Sequence, residues 1–302
     1  MPPGSVLAAA LAAGPVLLDG GLATELEARG QDVGSALWSA RLLRDDPEAI
    51  VAAHAAFAAA GAQVATTASY QATLEGFAAA GIDAAEAGPL IARSVELARR
   101  GAPAGWVAGS VGPYGAFLAD GSEYTGGYAS GLSIAALRAF HRPRMALLAD
   151  AGADVLACET VPAAAEAEAL LAEVADLGVP AWLSLTTVVD GGGVVRTRRG
   201  EPAAEVFAMA AGVEEVIAVG VNCTDPAGVL PAVRAAAASG KPVVVYPNSG
   251  ERWNAGARRW AGPAAFDPAD VPSWIEAGAR LIGGCCRVGP QQIAALRGAF
   301  SG

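Results

Sequence analysis

Lysine is almost missing from this chain: Lys241 stands alone among 302 residues. A Schiff-base enzyme on an α/β scaffold needs a lysine near the C-terminal end of a strand. Lys241 instead precedes a β-like run, on the opposite face, which argues against that chemistry. Histidine is nearly as scarce. His54 and His141 both fall inside helical stretches, away from strand ends, so a histidine-based zinc hydrolase is disfavoured. Four cysteines in 30.0 kDa are too few for a disulfide framework and point to a reducing compartment, the cytoplasm. No Lys or Arg precedes Arg29, so the positive region of a signal peptide is lacking. The apolar stretch Val6–Leu18 is broken at Gly14-Pro15 and is too short to span a bilayer. It reads as a short helix followed by a first strand, and no membrane partner is expected. The net charge of −10 also argues against nucleic acid and anionic membranes as partners. The few arginine clusters, at 196, 198 and 199 and again at 258 and 259, read as solvated loops. Gly191-Gly-Gly193 lacks the strand–turn–helix context of a phosphate loop and reads as a mobile loop.

What is abundant is alternation. Near-continuous apolar runs at 16–19, 63–68, 106–111, 155–158, 181–186, 216–221, 242–246 and 281–283 read as strands covered on both faces. Ala-rich helical stretches separate them, at 47–60, 84–100, 133–150, 162–176, 203–211, 227–238, 271–277 and 290–299. Asp46-Pro47, Asp225-Pro226 and Gly289-Pro290 each put a capping residue before proline at a helix start. Eight β-then-α units with no mid-chain linker predict one α/β domain over residues 1–302, a (βα)8 TIM-type barrel.

Barrel active sites lie at the C-terminal strand ends. Polar residues gather there: Asp19-Gly20-Gly21, Thr66 to Tyr70, Gly109 to Tyr114, Cys158-Glu159-Thr160, Asn222-Cys223, Tyr246 to Glu251 and Gly283 to Cys286. Cys223 ends one run, and the adjacent Cys285 and Cys286 end another. In one parallel barrel all three thiols converge on the same face. Three thiolates with an open fourth position make a catalytic zinc site rather than a closed structural one. Adjacent cysteines are also found as inert buried thiols, and Cys158 reads as a packed spectator one residue before its strand end.

These segments resemble the zinc-dependent, cobalamin-independent homocysteine S-methyltransferases. The resemblance runs in order from Asp19-Gly-Gly-Leu-Ala-Thr-Glu-Leu-Glu27 through Thr67-Ala-Ser-Tyr-Gln71, Ala108 to Tyr114, Leu118 to Tyr124, Leu156-Ala-Cys-Glu-Thr160 and Val244 to Glu251 to Leu281-Ile-Gly-Gly-Cys-Cys-Arg287. The stretch Ala108–Tyr124 is most similar to the single-domain branch using S-methylmethionine or S-adenosylmethionine. The resemblance implies that Cys223, Cys285 and Cys286 are catalytic zinc ligands, with Zn2+ as the cofactor. It also implies that homocysteine and a sulfonium methyl donor are the small-molecule partners. Betaine as donor, or selenocysteine or another thiol as acceptor on the same site, are the alternatives. A free homocysteine thiol, with a pKa near that of Cys at about 8.5, is mostly protonated at neutral pH. Coordination to zinc deprotonates it outright.

The substrate-binding candidates follow from the same strand ends. Glu159 suits the homocysteine ammonium, since an unpaired buried carboxylate is costly; an internal pairing is its competing explanation. Asp19 with Gly20 lines the amino-acid pocket by the resemblance, or forms an Asp-Gly turn. Thr67, Ser69 and Tyr70 stand at one strand end, where packing alone also favours threonine. Asn222 orients the substrate or its neighbouring thiolate, or merely makes a turn. Asn248 and Glu251 fit a structural turn. The stretch Asp120–Gly131 reads as a lid or a flexible loop, and Tyr70, Tyr114, Tyr124, Asp120 and Glu123 are expected to wall in the donor's cation.

Overall fold

The computed structural model describes residues 3–34, 37–254 and 259–300. Eight parallel strands form the barrel: β1 Val16–Leu17, β2 Val64–Thr66, β3 Trp106–Val111, β4 Val155–Val161, β5 Ala181–Leu185, β6 Val216–Asn222, β7 Val243–Tyr246 and β8 Ala279–Ile282. Each pairs with its neighbours in chain order, and β8 pairs with β1, Val16 beside Leu281. A parallel bridge between Leu18 and Val64 closes the ring. The expected (βα)8 barrel is therefore the observed fold. An α-helix or helical turn follows each strand, including Pro47–Ala60, Ala84–Gly101, Ile134–Asp150, Ala164–Leu177 and Pro290–Ala299.

The strand residues sort by period two. Val16, Leu18, Val64, Ala108, Val155, Ala157, Trp182, Ala218, Val244 and Leu281 pack together inside the barrel. Their neighbours, among them Leu17, Ala65, Val107, Leu156, Leu183, Val219, Val245 and Ile282, pack outward under the helices. The N-terminal helix Pro3–Ala13 joins the inner cluster through Leu7 and Leu11, as the reading of Val6–Leu18 anticipated. Among the described residues, no helix is long and apolar enough to cross a membrane.

Asp46 and Asp225 cap as the sequence suggests, accepting from the N–H groups of Ala49 (3.2 Å) and Ala227 (3.0 Å). At Gly289 the cap is reversed, with the Gln292 side chain accepting from the Gly289 N–H at 3.1 Å.

Three expectations need correction. β4 runs on to Val161, so Cys158 is not next to its end and Glu159 belongs to the strand itself. The Gly191–Gly193 stretch is the exposed tip of an antiparallel hairpin, Thr187–Val189 with Val195–Thr197. Arg198 is half-buried, its Nε donating to Thr186 Oγ1 at 3.2 Å, because the hairpin lays it back on the barrel. Arg196 pairs with Asp190 at 2.5 Å. Arg258 lies outside the described residues.

Candidate metal and substrate site

The loop after β1 and the turn after β8 lie against each other. A side chain on Gly20 would meet the Val288 carbonyl at 2.3 Å, and one on Gly21 the Cys285 carbonyl at 2.5 Å. Only glycine permits this approach, which explains the Gly-Gly pair after Asp19. The backbone N–H of Gly21 donates to Val288 (2.9 Å) and that of Gly284 to Asp19 (3.1 Å). The β7 loop grips the two cysteines from the other side. The Cys285 N–H donates to the Pro247 carbonyl at 2.8 Å, and the Cys286 N–H to Asn248 Oδ1 at 3.1 Å. Asn248 is thus a structural partner of the cysteine turn. Glu251 accepts from Ser249 Oγ at 2.9 Å and pairs with Arg287 at 3.4 Å.

The three thiols meet. Cys223 Sγ lies 2.7 Å from Cys285 Sγ and 4.0 Å from Cys286 Sγ, and all three fall within 4.8 Å of one another. Three sulfurs at about 2.3 Å from a tetrahedral metal stand about 3.8 Å apart, so the donor set fits one soft divalent ion after a shift of about an ångström. Cys286 ionises most readily: hydrogen bonds from Cys223, then Cys285, and one from Tyr124 hold it well below the usual thiol range. Cys158 faces outward into the core, where burial pushes its thiol up to about 12. It is the spectator expected.

A cleft opens over the thiols, lined by Asp19, Gly20, Thr67, Tyr70, Glu159 and Asn222 as well as the cysteines. Its empty space, about 760 Å³, includes the open solvent at the mouth. Of the proposed substrate residues only Ser69 is set back from the cleft wall. Its hydroxyl bonds to the Ser110 carbonyl (2.8 Å) and to Thr67 Oγ1 (2.6 Å), which in turn accepts from the Ser110 N–H at 2.9 Å.

Two carboxylates are buried in the wall. Asp19 accepts from the N–H and hydroxyl of Thr66, at 2.7 and 2.9 Å. Glu159 accepts from Ser110 Oγ, and the Tyr246 hydroxyl is among the groups acting on it. No cation stands among the groups acting on either, and burial pushes both up to about 7. Glu159 therefore has hydrogen bonds but no salt bridge among the described residues. Asn222 spends its side chain on the scaffold. Its Oδ1 accepts from the Thr160 N–H (2.7 Å) and Ser184 Oγ (2.8 Å), and its Nδ2 donates to Thr160 Oγ1 at 2.7 Å. It thereby pins Thr160 in a left-handed conformation, φ 61°. Cys223 (φ 46°) and Arg287 (φ 66°) share that conformation.

Of the five residues expected to wall in the donor, Tyr70 and Tyr124 line the cleft. Tyr114 instead packs on Phe117, Tyr128 and Phe140, at centroid distances of 5.5, 5.5 and 4.7 Å. Asp120 is exposed and accepts from the Ser122 N–H at 2.9 Å. Glu123 is buried but stands outside the cleft lining. The stretch Asp120–Gly131 forms two short helical turns, Ser122–Tyr124 and Gly127–Gly131. His54 is buried without a polar partner among the described residues, and burial lowers its pKa to about 4. His141 is buried against Glu166.

Sequence reasoning passed over Tyr246 and Ser110. Both stood within the strand-end segments; Ser110 bonds to Glu159, and Tyr246 lines the same cleft. Tyr246 also takes the Trp182 Nε1–H at 3.0 Å and meets Ser184 Oγ at 2.7 Å.

Known proteins are similar to this chain in sequence and fold. The family model described as "Homocysteine S-methyltransferase" matches residues 16–300. The homocysteine S-methyltransferase of Escherichia coli K12 is 48% identical over 298 residues, covering 93% of this chain and 94% of its own. A selenocysteine Se-methyltransferase of Brassica oleracea is 40% identical over 309 residues, 94% of this chain and 88% of its own. Among solved structures, the metallated form of the homocysteine methyltransferase MmuM from E. coli superposes with a TM-score of 0.83. It is 45% identical and covers 94% of this chain and 96% of that one. With the barrel, the converging thiols and this near full-length identity together, the chain belongs to the homocysteine S-methyltransferase family.

Proposed function

We propose that the protein moves a methyl group from a sulfonium donor, S-methylmethionine in preference to S-adenosylmethionine, onto the thiol of L-homocysteine. The observation that carries this reading is the meeting of three thiols beneath two buried carboxylates that have no cation of their own. Cys223, Cys285 and Cys286 would hold Zn2+. Zinc held there would supply a Lewis acid able to keep the acceptor thiol deprotonated near neutral pH.

The chain's own residues do the rest by placement. Glu159 and Asp19 offer negative charge to the homocysteine ammonium, which provides the cation that burial denies them. Tyr70 and Tyr124 line the cleft beside the thiols, and aromatic rings there would attract an onium charge. The acceptor sulfur forms a bond to the methyl carbon as the old carbon–sulfur bond breaks. That bond's electron pair stays on the departing sulfur, which leaves as a neutral thioether. With S-methylmethionine both products are methionine, and the thiol proton goes to solvent. In-line alignment, rather than proton transfer, is what the site must provide.

Purified zinc-loaded protein, homocysteine and each donor separately decide the matter by methionine formation. The expected order of kcat/KM is S-methylmethionine, then S-adenosylmethionine, with betaine inactive. A betaine rate above both sulfonium donors overturns the donor, and no methionine from any donor overturns the reading. Selenocysteine in place of homocysteine tests the acceptor, since a relative carries that activity in its name.

A further inference from the structure

Glu166 is fully buried in the first turn of helix Ala164–Leu177, behind the cleft wall and not in it. One oxygen accepts from the Tyr114 N–H at 2.6 Å and from His141 Nε2 at 2.9 Å, while the other accepts from the Tyr128 hydroxyl. The His141 tautomer follows from its far side. Arg144 Nη2, which can only donate, lies 2.7 Å from His141 Nδ1, so the ring is neutral and its Nε2 carries the proton. Arg144 is buried as well. It donates to the Gly112 carbonyl and, at 3.4 Å, to the Tyr70 carbonyl, and its guanidinium lies 5.2 Å from the Phe140 ring centre.

The network thus ties down two pieces of chain. Glu166 holds the segment after β3 at both ends, through Tyr114 and Tyr128, and that segment carries Tyr124. Gly115 makes room for this, because a side chain there would meet the Tyr128 ring at 2.7 Å. Arg144 holds the turn that carries Tyr70. Tyr70 and Tyr124 are the two aromatic residues beside the thiols that face the cleft from these pieces. No member of the Glu166–His141–Arg144 network lines the cleft itself.

We propose that Glu166, His141 and Arg144 are positioning residues for the methyl donor, fixing Tyr124 and Tyr70 at the spacing that receives its sulfonium group. The inference rests on the sulfonium-donor reading given above. A carboxylate and a guanidinium joined through a neutral imidazole have no net charge, so the unit is tolerated in the interior while each bond stays charge-assisted.

Tyr128→Phe removes one bond to Glu166 and leaves the rest of the relay whole. It should raise KM for the sulfonium donor about tenfold, the usual effect of losing a hydrogen bond to a charged group. KM for homocysteine and metal content should stay within twofold of wild type. Chymotryptic cleavage after Tyr124 should become faster. Glu166→Gln should change the same quantities in the same direction and further. A purely structural role predicts instead a lower melting temperature with both KM values unchanged, and that result overturns the proposal. So does an unaltered cleavage rate in Tyr128→Phe. Wild-type protein that turns over no sulfonium donor sinks the donor reading alone, while the cleavage rates still judge the network.

Discussion

Replacing Glu159 by glutamine separates two effects of opposite sign. The carboxyl group is buried at 6% exposure and its pKa is raised from 4.5 to about 7, chiefly by burial. At about 1.4 kcal/mol per unit, ionising it inside the fold costs about 3 kcal/mol well above pH 7. Because the folded pKa lies above the unfolded one, the acid's contribution to stability is full below about 4.5 and is lost as pH rises through about 7. Glutamine can still bond to Ser110 and carries no charge. Substrate-free Glu159→Gln should therefore be more stable than wild type at pH 8.5, by up to about 3 kcal/mol, and nearly equal to it below about pH 4.5. Homocysteine binding should move the other way. Losing one charge-assisted bond of about 1.5–3 kcal/mol weakens the dissociation constant by about 10- to 150-fold. Denaturant titrations at the two pH values and calorimetric titration of homocysteine into zinc-loaded protein measure both, with metal content as the control. A variant that is less stable at pH 8.5 and binds homocysteine as before would return Glu159 to a structural role.

Two further outcomes are expected. Cys286→Ala should lose most of its bound metal and nearly all methyl transfer, because two thiols leave an incomplete site; full occupancy with wild-type turnover would remove Cys286 from the ligand set. The value of kcat/KM for homocysteine should climb with pH along an acid limb near 7, since Asp19 and Glu159 are both pushed up to about 7 and hold an ammonium only when ionised. Glu159→Gln should make that limb shallower, from two protons toward one, and a flat wild-type profile between pH 6 and 8 contradicts the assignment.

Much of this was legible in the sequence because each signal was local. Strand runs such as Val216–Val221 and the proline-marked helix starts carry their own periodicity and caps. The cysteines could be placed together once their strands were assigned to one barrel. What stayed hidden depends on contacts between distant residues. β4 outruns its apolar stretch because Asn222, 62 positions away, pins Thr160. Tyr114 and Tyr124 look interchangeable in sequence. The helical turn Ser122–Tyr124 decides which one faces the cleft, and no propensity encodes that choice. Glu166 reads in sequence as an ordinary acidic residue in a first helical turn. Its partners Tyr114, Tyr128 and His141 come from other elements, so the network has no local signature.

Of the four non-glycine residues with left-handed backbones among the described residues, Thr160 and Cys223 line the cleft and Arg287 directly follows Cys286. Such conformations cost about 1–3 kcal/mol each, so the mouth of the barrel stores tension of several kcal/mol. The apolar staves beneath, held by their own packing, keep that tension from relaxing. The 2.7 Å contact between Cys223 and Cys285 must still open by about an ångström to take an ion, so the strained mouth holds the sulfurs near one another without fixing their final spacing. A mouth of this kind gathers its ligands in advance and leaves the last ångström to be set by whichever ion the thiols would hold.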